Sequence, residues 1–178
     1  MREILFKGKR TDNGEWLQGY IIVAEKDTPY IIPSKSWAHA PRNSHSIYSS
    51  NFYRVDPETV GQYTGLTDKN GTKIFEGDIL KQKTTSKFAE VSPFEWERYG
   101  VVRFGYHDWG DKNEVGYASE GWYIQPLRSV SVNPKNYGVG YIKPGLNQCD
   151  ILDEYYPMEV IGNIHDNPEL LKGGVIDE

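Results

Sequence analysis

The chain alternates apolar and polar residues over short runs, which is the pattern of β-strands that bury one face. Turn signals recur at short spacing, and the sequence has no long segment with the 3.6-residue period of a helix. Strands are predicted at residues 3–7, 16–24, 30–32, 52–55, 60–65, 72–75, 79–80, 100–104, 121–127 and 158–164. In the first of these, Ile4 and Phe6 share one face. The pattern therefore predicts a mainly β protein.

Residues 56–81 contain the densest group of strand and turn signals. Asn70 and Gly71 tolerate positive φ, and an Asn-Gly pair between two strand-like runs is a strong hairpin signal. The Asp68 side chain can accept a hydrogen bond from the backbone two residues further on and so start the turn. The returning strand is expected to bury Ile74.

A second break follows where Gly77 and Asp78 precede an apolar strand. Gly77 can adopt a φ that other residues resist, and Asp78 can satisfy a backbone donor at the bend. A Gly-Asp pair that opens an apolar strand is common in SH3-like barrels, an analogy of architecture that carries no function. We predict two small β-rich lobes, residues 1–70 and 71–178, of which the second is an SH3-like β-barrel with loop inserts. One continuous domain is the alternative.

One short helix is predicted near the C-terminal end. Asn167 is a good cap, Pro168 suits the first helical position, and Glu169 lies near the positive end of the helix dipole. A pair of glycines, Gly173 and Gly174, ends it. Polar segments rich in turn residues predict loops at residues 34–51 and 106–120, and a long loop or irregular hairpin at 131–148.

Aromatic residues compensate for a modest apolar content. Of the 178 residues, 38% are hydrophobic, but 13 Tyr and 5 Trp supply large rings for a core. The single cysteine, Cys149, excludes an internal disulfide and Cys-based zinc modules. The N-terminal residues lack a signal-peptide pattern, and no apolar run reaches the length of a membrane span. We therefore expect a cytoplasmic protein that makes no membrane contact.

The charge balance argues against a general nucleic-acid-binding protein. A net charge of −5 opposes sequence-independent binding to phosphates, which needs a basic surface. Lys7, Lys9 and Arg10 form a local basic cluster, which we interpret as a solvated face.

The sequence contains no recognisable catalytic motif. Asp68, Glu76 and Asp78 are close in sequence and could do acid–base work, but turn chemistry accounts for the two aspartates. His39 and His45 share one loop at a spacing that matches no metal-ligand pattern, so we interpret them as exposed loop histidines. Neither a nucleophile elbow nor a phosphate-binding glycine loop is present. We predict no catalytic residue, no metal site and no cofactor.

The aromatic residues of the second half of the chain are the candidates for function. Most are expected to form core, but Trp and Tyr on loops are also typical of protein-binding hot spots and of base-stacking sites. Acidic residues lie among them and favour a protein partner over nucleic acid: Asp108, Asp111, Glu114 and Glu120. The candidate partner-binding residues are Tyr106, Trp109, Tyr117 and Trp37.

Three segments of the sequence resemble the YopX family. They are DPETVGQYTGL at 56–66 followed by DKNG at 68–71 and EGDI at 76–79, MREI with Phe6 at the start, and EVIGNIH at 159–165 followed by NPELL at 167–171. The family is typical of bacterial phages and prophages and is mostly uncharacterised, so the resemblance implies a phage-associated protein but no activity and no catalytic residue. Segments near 84–99 and 105–150 are longer than a short member would have, and the resemblance implies nothing about a function there.

We expect a non-catalytic binding module that contacts another protein, of host or phage, through aromatic loops. The alternatives are a nucleic-acid-binding SH3-like barrel and an enzyme of unrecognised type. Edge strands and exposed aromatic residues also leave homo-oligomerisation open.

Overall fold

The structure is a computed structural model that describes residues 3–34, 38–39, 48–49, 51–86, 94–108, 118–131 and 158–171. The chain is mainly β, as predicted, and the described strand pairs are antiparallel. It divides into two compact units, Met1–Leu66 and Thr67–Glu178. The sequence analysis placed its boundary a little later, between residues 70 and 71.

The first unit is an antiparallel sheet. Its strands are β1 (Phe6–Lys9), β2 (Trp16–Ala24), β3 (Thr28–Pro33), β4 (Ala38–His39), β5 (Tyr48–Ser49), β6 (Tyr53–Arg54) and β7 (Gly61–Thr67), whose last residue belongs to the second unit. The order in the sheet is β6-β3-β2-β1-β7, and β4 pairs with β5 separately. Short 3₁₀ turns cover Glu25–Asp27 and Pro57–Thr59. Of the predicted loop at 34–51, the described part includes the β4–β5 pair.

The hairpin of β1 and β2 joins two predicted strands through a turn that contains Asn13 and Gly14. Strand β2 has the predicted bounds. In its register with β1, Phe6 lies opposite Gly19 and Lys9 lies opposite Trp16. The turn closes through the Arg10 N–H, which donates to the Glu15 carbonyl at 2.9 Å. The sequence therefore specified this element locally.

The segment that leads into β1 buries Leu5 and exposes Ile4. Strand β1 begins at Phe6, and the buried residue before it is Leu5, whereas Ile4 is 57% exposed. The Leu5 carbonyl accepts a hydrogen bond from the Tyr63 N–H at 2.8 Å, which holds this segment against β7. Leu5 packs in a core with Ile31 and Val55, both fully buried. Successive side chains alternate between faces, so burying Leu5 turns Ile4 outward.

The second unit contains a sheet of four strands, some of which are far apart in sequence. Its strands are β8 (Lys73–Phe75), β9 (Asp78–Ser86), β10 (Phe94–Asp108), β11 (Ala118–Ser131) and β12 (Met158–Asn163). The last four form a sheet of order β11-β10-β9-β12. Across the described residues this sheet is open, so the predicted SH3-like barrel is not confirmed. The Gly-Asp bend on which that prediction rested is a local turn signal, whereas closure depends on strand number and stagger.

Strands β10 and β11 are much longer than predicted. The predicted strands at 100–104 and 121–127 are central parts of a hairpin that reaches Asp108 and starts again at Ala118, so the ends of the predicted loop at 106–120 are strand. Pro126 was expected to weaken the strand end, yet β11 continues past it. It lies on an outer strand where the pairing register shifts between Tyr99 and Gly100, and such bulges and edges tolerate proline.

The core of the second unit is assembled around the bend before β9. Gly77 has φ of +80°, and its N–H donates to the Val102 carbonyl at 2.9 Å. Its carbonyl accepts from the Ile164 N–H at 3.0 Å, so one bend joins β10 to the end of β12. Ile74 is buried, as predicted, and the other fully buried residues of this unit include Ile79, Leu80, Val101, Val102 and Ile124.

At the C-terminal end the structure has one turn of 3₁₀ helix, Pro168–Leu171, where the sequence predicted a short helix. The Asn167 side chain accepts the Asn163 N–H at 3.3 Å, and the Leu170 N–H donates to the Asn167 carbonyl. These local bonds shape the turn without the length that an α-helix needs.

Candidate partner-binding surface

The distal part of the β10–β11 hairpin extends past the rest of its sheet. Pairing of β10 with β9 ends at Val101 opposite Ile79, whereas pairing of β10 with β11 continues to Asp108 opposite Ala118. We name residues 103–108 and 118–123 the aromatic arm. Among the described residues, the arm consists of two strands, and past Val101 strand β10 pairs with β11 but not with β9.

One face of the aromatic arm carries large apolar side chains in the open. Phe104 is 51% exposed and Tyr106 is 75% exposed. These residues are two apart on one strand, so their side chains lie on the same face. Trp122 is opposite Phe104 in the register, and the two rings meet edge to face with centroids 5.0 Å apart. This geometry is a favourable one for aromatic pairs.

The same face is anchored at its base and polar at its far end. On the same face, the pair of Val102 and Ile124 lies next to the pair of Phe104 and Trp122, on the side of the core. Val102 and Ile124 are fully buried. Further out, Tyr106 is opposite the exposed Glu120. The apolar surface therefore runs continuously from the core to an acidic edge, which suits a partner with apolar and basic groups.

The opposite face of the arm carries Arg103 and Tyr123, which lie opposite each other in the register. The Arg103 Nε donates to the Gln125 Oε1 at 3.2 Å across the two strands. Gly105 lies between the two exposed aromatics with φ of +153°, a conformation that residues with a side chain rarely adopt. It pairs with Gly121, so the arm is narrow at this level.

Of the four predicted partner-binding residues, Tyr106 lies within the part of the chain that the structure describes. Tyr106 is the most exposed large apolar residue of those described, and its role in partner binding stays a prediction. Trp109, Tyr117 and Trp37 lie outside the described residues. Phe104 was missed because the sequence analysis read it as the end of a core strand. Its spacing of two from Tyr106 was the signal that could have found it.

Asp68 acts as a structural acceptor. Its Oδ1 accepts from the N–H groups of Asn70 and Thr72, both at 2.8 Å, and its Oδ2 accepts from the Val160 N–H at 3.1 Å. Burial alone would raise the pKa of this carboxyl, but the backbone donors, Val160 foremost, outweigh it and lower the pKa. A carboxylate held ionised in this way is a poor proton donor.

Asp78 has a comparable structural role at the neighbouring bend. Its buried Oδ2 accepts from the Phe75 N–H at 2.8 Å, which caps the end of β8. The predicted turn chemistry of both aspartates is therefore confirmed. These hydrogen bonds give both carboxyls a structural task.

A small ionic network lies on β9 and β10. The Glu97 carboxylate bonds Lys81 Nζ at 2.8 Å and accepts from the Tyr99 hydroxyl at 2.6 Å. Burial opposes ionisation of Glu97, but these two donors outweigh it and lower its pKa, while the hydrogen bond to Glu97 raises the pKa of Lys81. Lys81 is therefore paired with a carboxylate, whereas a nucleic-acid-binding surface on this sheet would need its charge for phosphate.

The early basic cluster is not the solvated face that the sequence suggested. Lys7 is only 8% exposed, and its Nζ lies 5.0 Å from the centroid of the Trp16 ring. Lys9 Nζ lies 5.6 Å from the same ring. The Arg10 guanidinium stacks on Tyr53 and bonds Asp12. Lysine stems cover aromatic surface well, so the strand can direct both lysines toward Trp16.

An open depression of about 400 Å³ lies beside this cluster in the first unit. Its lining mixes both signs of charge, with Arg10, Arg54, Asp12 and Asp56. Asp12 and Glu15 already hold the Arg10 guanidinium, and Asp56 caps the following turn by accepting from the Glu58 N–H. The depression is accordingly explained by turn structure.

The predicted histidine loop falls largely outside the described residues; of its two histidines, the backbone of His39 is in β4. The part of the chain that the structure describes holds no group of three His, Cys, Asp or Glu residues placed to bind a metal ion. No described helix is long and apolar enough to cross a membrane.

Fold and surface together define a class: mainly β proteins of two antiparallel units that carry an exposed aromatic arm. The chain belongs to the YopX family, whose model, described as YopX protein, matches residues 18–172. The resemblance predicted from the sequence is thereby confirmed. The chain is also similar to the crystal structure of protein EF1440 from Enterococcus faecalis, with 21% identity, a TM-score of 0.49 and coverage of 96% of this chain and 99% of that chain. No curated protein matches the sequence.

Proposed function

We propose that the protein is a non-catalytic binding module that contacts another protein through the exposed face of the aromatic arm. The observation that carries the proposal is the exposure of Phe104 and Tyr106 beside Trp122 on one strand face. Contiguous exposed aromatic surface is costly in water, and rings of this kind are enriched where proteins bind one another. Because the family is typical of phages and prophages, we infer that the module works in the bacterial cytoplasm on a host or phage protein.

The test is affinity capture from a nuclease-treated bacterial lysate, read by mass spectrometry. The wild-type protein is compared with a Phe104→Ala/Tyr106→Ala variant and with Tyr20→Ala, a matched control that removes another half-exposed tyrosine, in the first unit. We expect one stoichiometric protein that the arm variant loses and the control keeps. Equal capture by all three proteins, or none by the wild type, would contradict the proposal.

A nucleic-acid-binding SH3-like barrel is the alternative, because exposed rings on a strand face can stack bases. It has less support, since Lys81 is paired with Glu97, Glu120 is exposed beside Tyr106, and the net charge is −5. The same capture distinguishes it: binding that appears only when nuclease is omitted favours this alternative. A salt titration with single-stranded and duplex DNA then has to give a steep slope.

An enzyme of unrecognised type is the remaining alternative, with Asp78 as its best carboxyl. The hydrogen bond from the Phe75 N–H gives Asp78 a structural task. A folded Asp78→Asn variant with full biological activity disposes of a catalytic role for that carboxyl.

A further inference from the structure

The backbone of β10 presents an edge beyond the point where β9 ends. The Val102 carbonyl accepts from the Gly77 N–H, so the Val102 backbone groups point away from β11. In an antiparallel strand this direction alternates with every residue. The N–H and C=O groups of Phe104 and Tyr106 therefore point to the same side as those of Val102, and no described strand pairs with that side past Val101.

Among the described residues, this edge lacks the features with which proteins usually prevent strand addition. Edge strands are normally protected by lysine, proline, a bulge or a covering element. The Val102 carbonyl already accepts from the Gly77 N–H, so the open positions on this edge are Phe104 and Tyr106, and the register with β11 runs without a shift from Gly100 to Asp108. The nearest cation, Arg103, is turned to the other face and bonds Gln125. Such an edge is a template for another strand.

We propose that a second copy of this chain adds to this edge, with the two β10 strands antiparallel and a twofold axis at Gly105. An axis there places Phe104 opposite Tyr106 of the second copy, and Tyr106 opposite Phe104 of the second copy. This register gives two aromatic cross-strand pairs. An axis at Phe104 or at Tyr106 would not place these two residues opposite each other. Aromatic cross-strand pairs are among the most stabilising, and identical strands related by a twofold axis satisfy each other's backbone groups.

The dimer joins the two arms into one sheet of order β11-β10-β10-β11. The faces that carry Phe104, Tyr106 and Trp122 then lie side by side, so one aromatic platform is shared by both copies. Either copy alone holds only half of this platform. The dimer does not depend on the proposed partner binding, although it enlarges the surface that such a partner would contact.

The first test measures molar mass by light scattering and sedimentation velocity over a range of concentrations. The chain has a mass of 20.4 kDa, so we expect the wild type at about twice that value. Tyr106→Pro removes an edge N–H of β10 and should halve the mass. Glu120→Pro is the matched control, because Glu120 is opposite Tyr106 and directs its N–H to the outer side of β11. This control should remain a dimer.

The second test reports the register and does not depend on proline being tolerated. In a Cys149→Ser background, Phe104→Cys and Tyr106→Cys proteins are oxidised alone and after mixing. We expect a disulfide-linked dimer in the mixture and little in either protein alone, because each cysteine faces the other position across the axis.

A wild type that is monomeric at every concentration, or a Tyr106→Pro protein that stays dimeric, overturns the proposal. A mixture of the cysteine proteins that forms no cross-link overturns the register. A monomer whose lysate capture still depends on Phe104 and Tyr106 rejects the dimer and leaves the proposed function standing.

Discussion

Asp68 holds three backbone donors on one buried carboxylate, two from its own turn and one from β12. Replacing it by Asn removes the negative charge and one acceptor while keeping the shape of the side chain. We expect Asp68→Asn to lower the free energy of unfolding by about 1–3 kcal/mol at neutral pH, because a buried donor loses a charged acceptor. Urea denaturation followed by circular dichroism measures the change.

The pH dependence of this effect follows from the lowered pKa of Asp68. The folded-state pKa lies below the unfolded value of about 3.9, so the stabilisation is present above that value and is lost as pH falls through the folded pKa. The difference between wild type and variant should therefore shrink in acid. Asp56→Asn is the control, since exposed Asp56 accepts a single backbone hydrogen bond. Equal losses for the two variants would contradict the assigned role of Asp68.

Single residues could be predicted from the sequence where their chemistry is local. The turn roles of Asp68 and Asp78 follow from short-range preferences and are confirmed. The contact of Asp68 with Val160 was out of reach, because 92 residues separate them and no local signal records such a pairing. Lys7 was misread for a related reason: its approach to Trp16 depends on the β1–β2 register.

At the scale of elements, the β10–β11 hairpin carries the main difference from the sequence analysis. Alternation identified its buried centre but not its distal part, where both faces are accessible and the apolar signal fades. The predicted strand at 100–104 also stopped just before Gly105, although Gly105 is paired with Gly121 within the hairpin. The candidate site could thus be predicted through Tyr106 as an exposed aromatic. Its partners Phe104 and Trp122 needed the register.

The ring contact between Phe104 and Trp122 should be measurable as a coupling within this hairpin. In a double-mutant cycle of Phe104→Ala and Trp122→Ala, we expect a coupling free energy of about 0.5–1 kcal/mol, because the pair is cross-strand and edge to face. Thermal or urea unfolding of the four proteins gives the value. A parallel cycle with Phe104→Leu keeps apolar bulk without a ring and should give less coupling. Strict additivity of the two alanine changes would mean that the rings do not interact.

At the scale of the whole molecule, the sequence indicated an all-β chain with two units but not how the second unit is connected. Its sheet places β12 beside β9, although the whole of β10 and β11 lies between them in sequence. Local turn signals cannot specify such a pairing, and the expectation of a closed barrel arose from one of them. The sheet is open across the described residues because β11 and β12, its two outer strands, do not pair with each other.

The position of β12 leads to a prediction about folding of the second unit. Deleting residues 158–178 removes the whole ladder between β12 and β9. It also removes the hydrogen bonds from the Lys69 N–H to Met158 and from the Ile164 N–H to Gly77, both 3.0 Å. Buried Leu80 loses its cross-strand neighbour Val160. We expect this deletion to abolish cooperative unfolding of the second unit, as measured in urea by tryptophan fluorescence, to which Trp96, Trp109 and Trp122 of this unit contribute.

A control variant separates this backbone pairing from the surface charges on the same strand. Glu159 on β12 forms an ion pair with Lys69 at 2.6 Å, and both side chains are substantially exposed. Exposed ion pairs contribute about 0–1 kcal/mol, so Glu159→Gln should shift the urea midpoint only slightly. A deletion protein that unfolds with the wild-type midpoint would mean that β9, β10 and β11 are stable without their fourth strand. A large effect of Glu159→Gln would instead assign the stability of this edge to charge. The expected contrast between the two variants follows from the ladder, because β12 pairs with the buried β9 residues Ile79, Leu80 and Gln82.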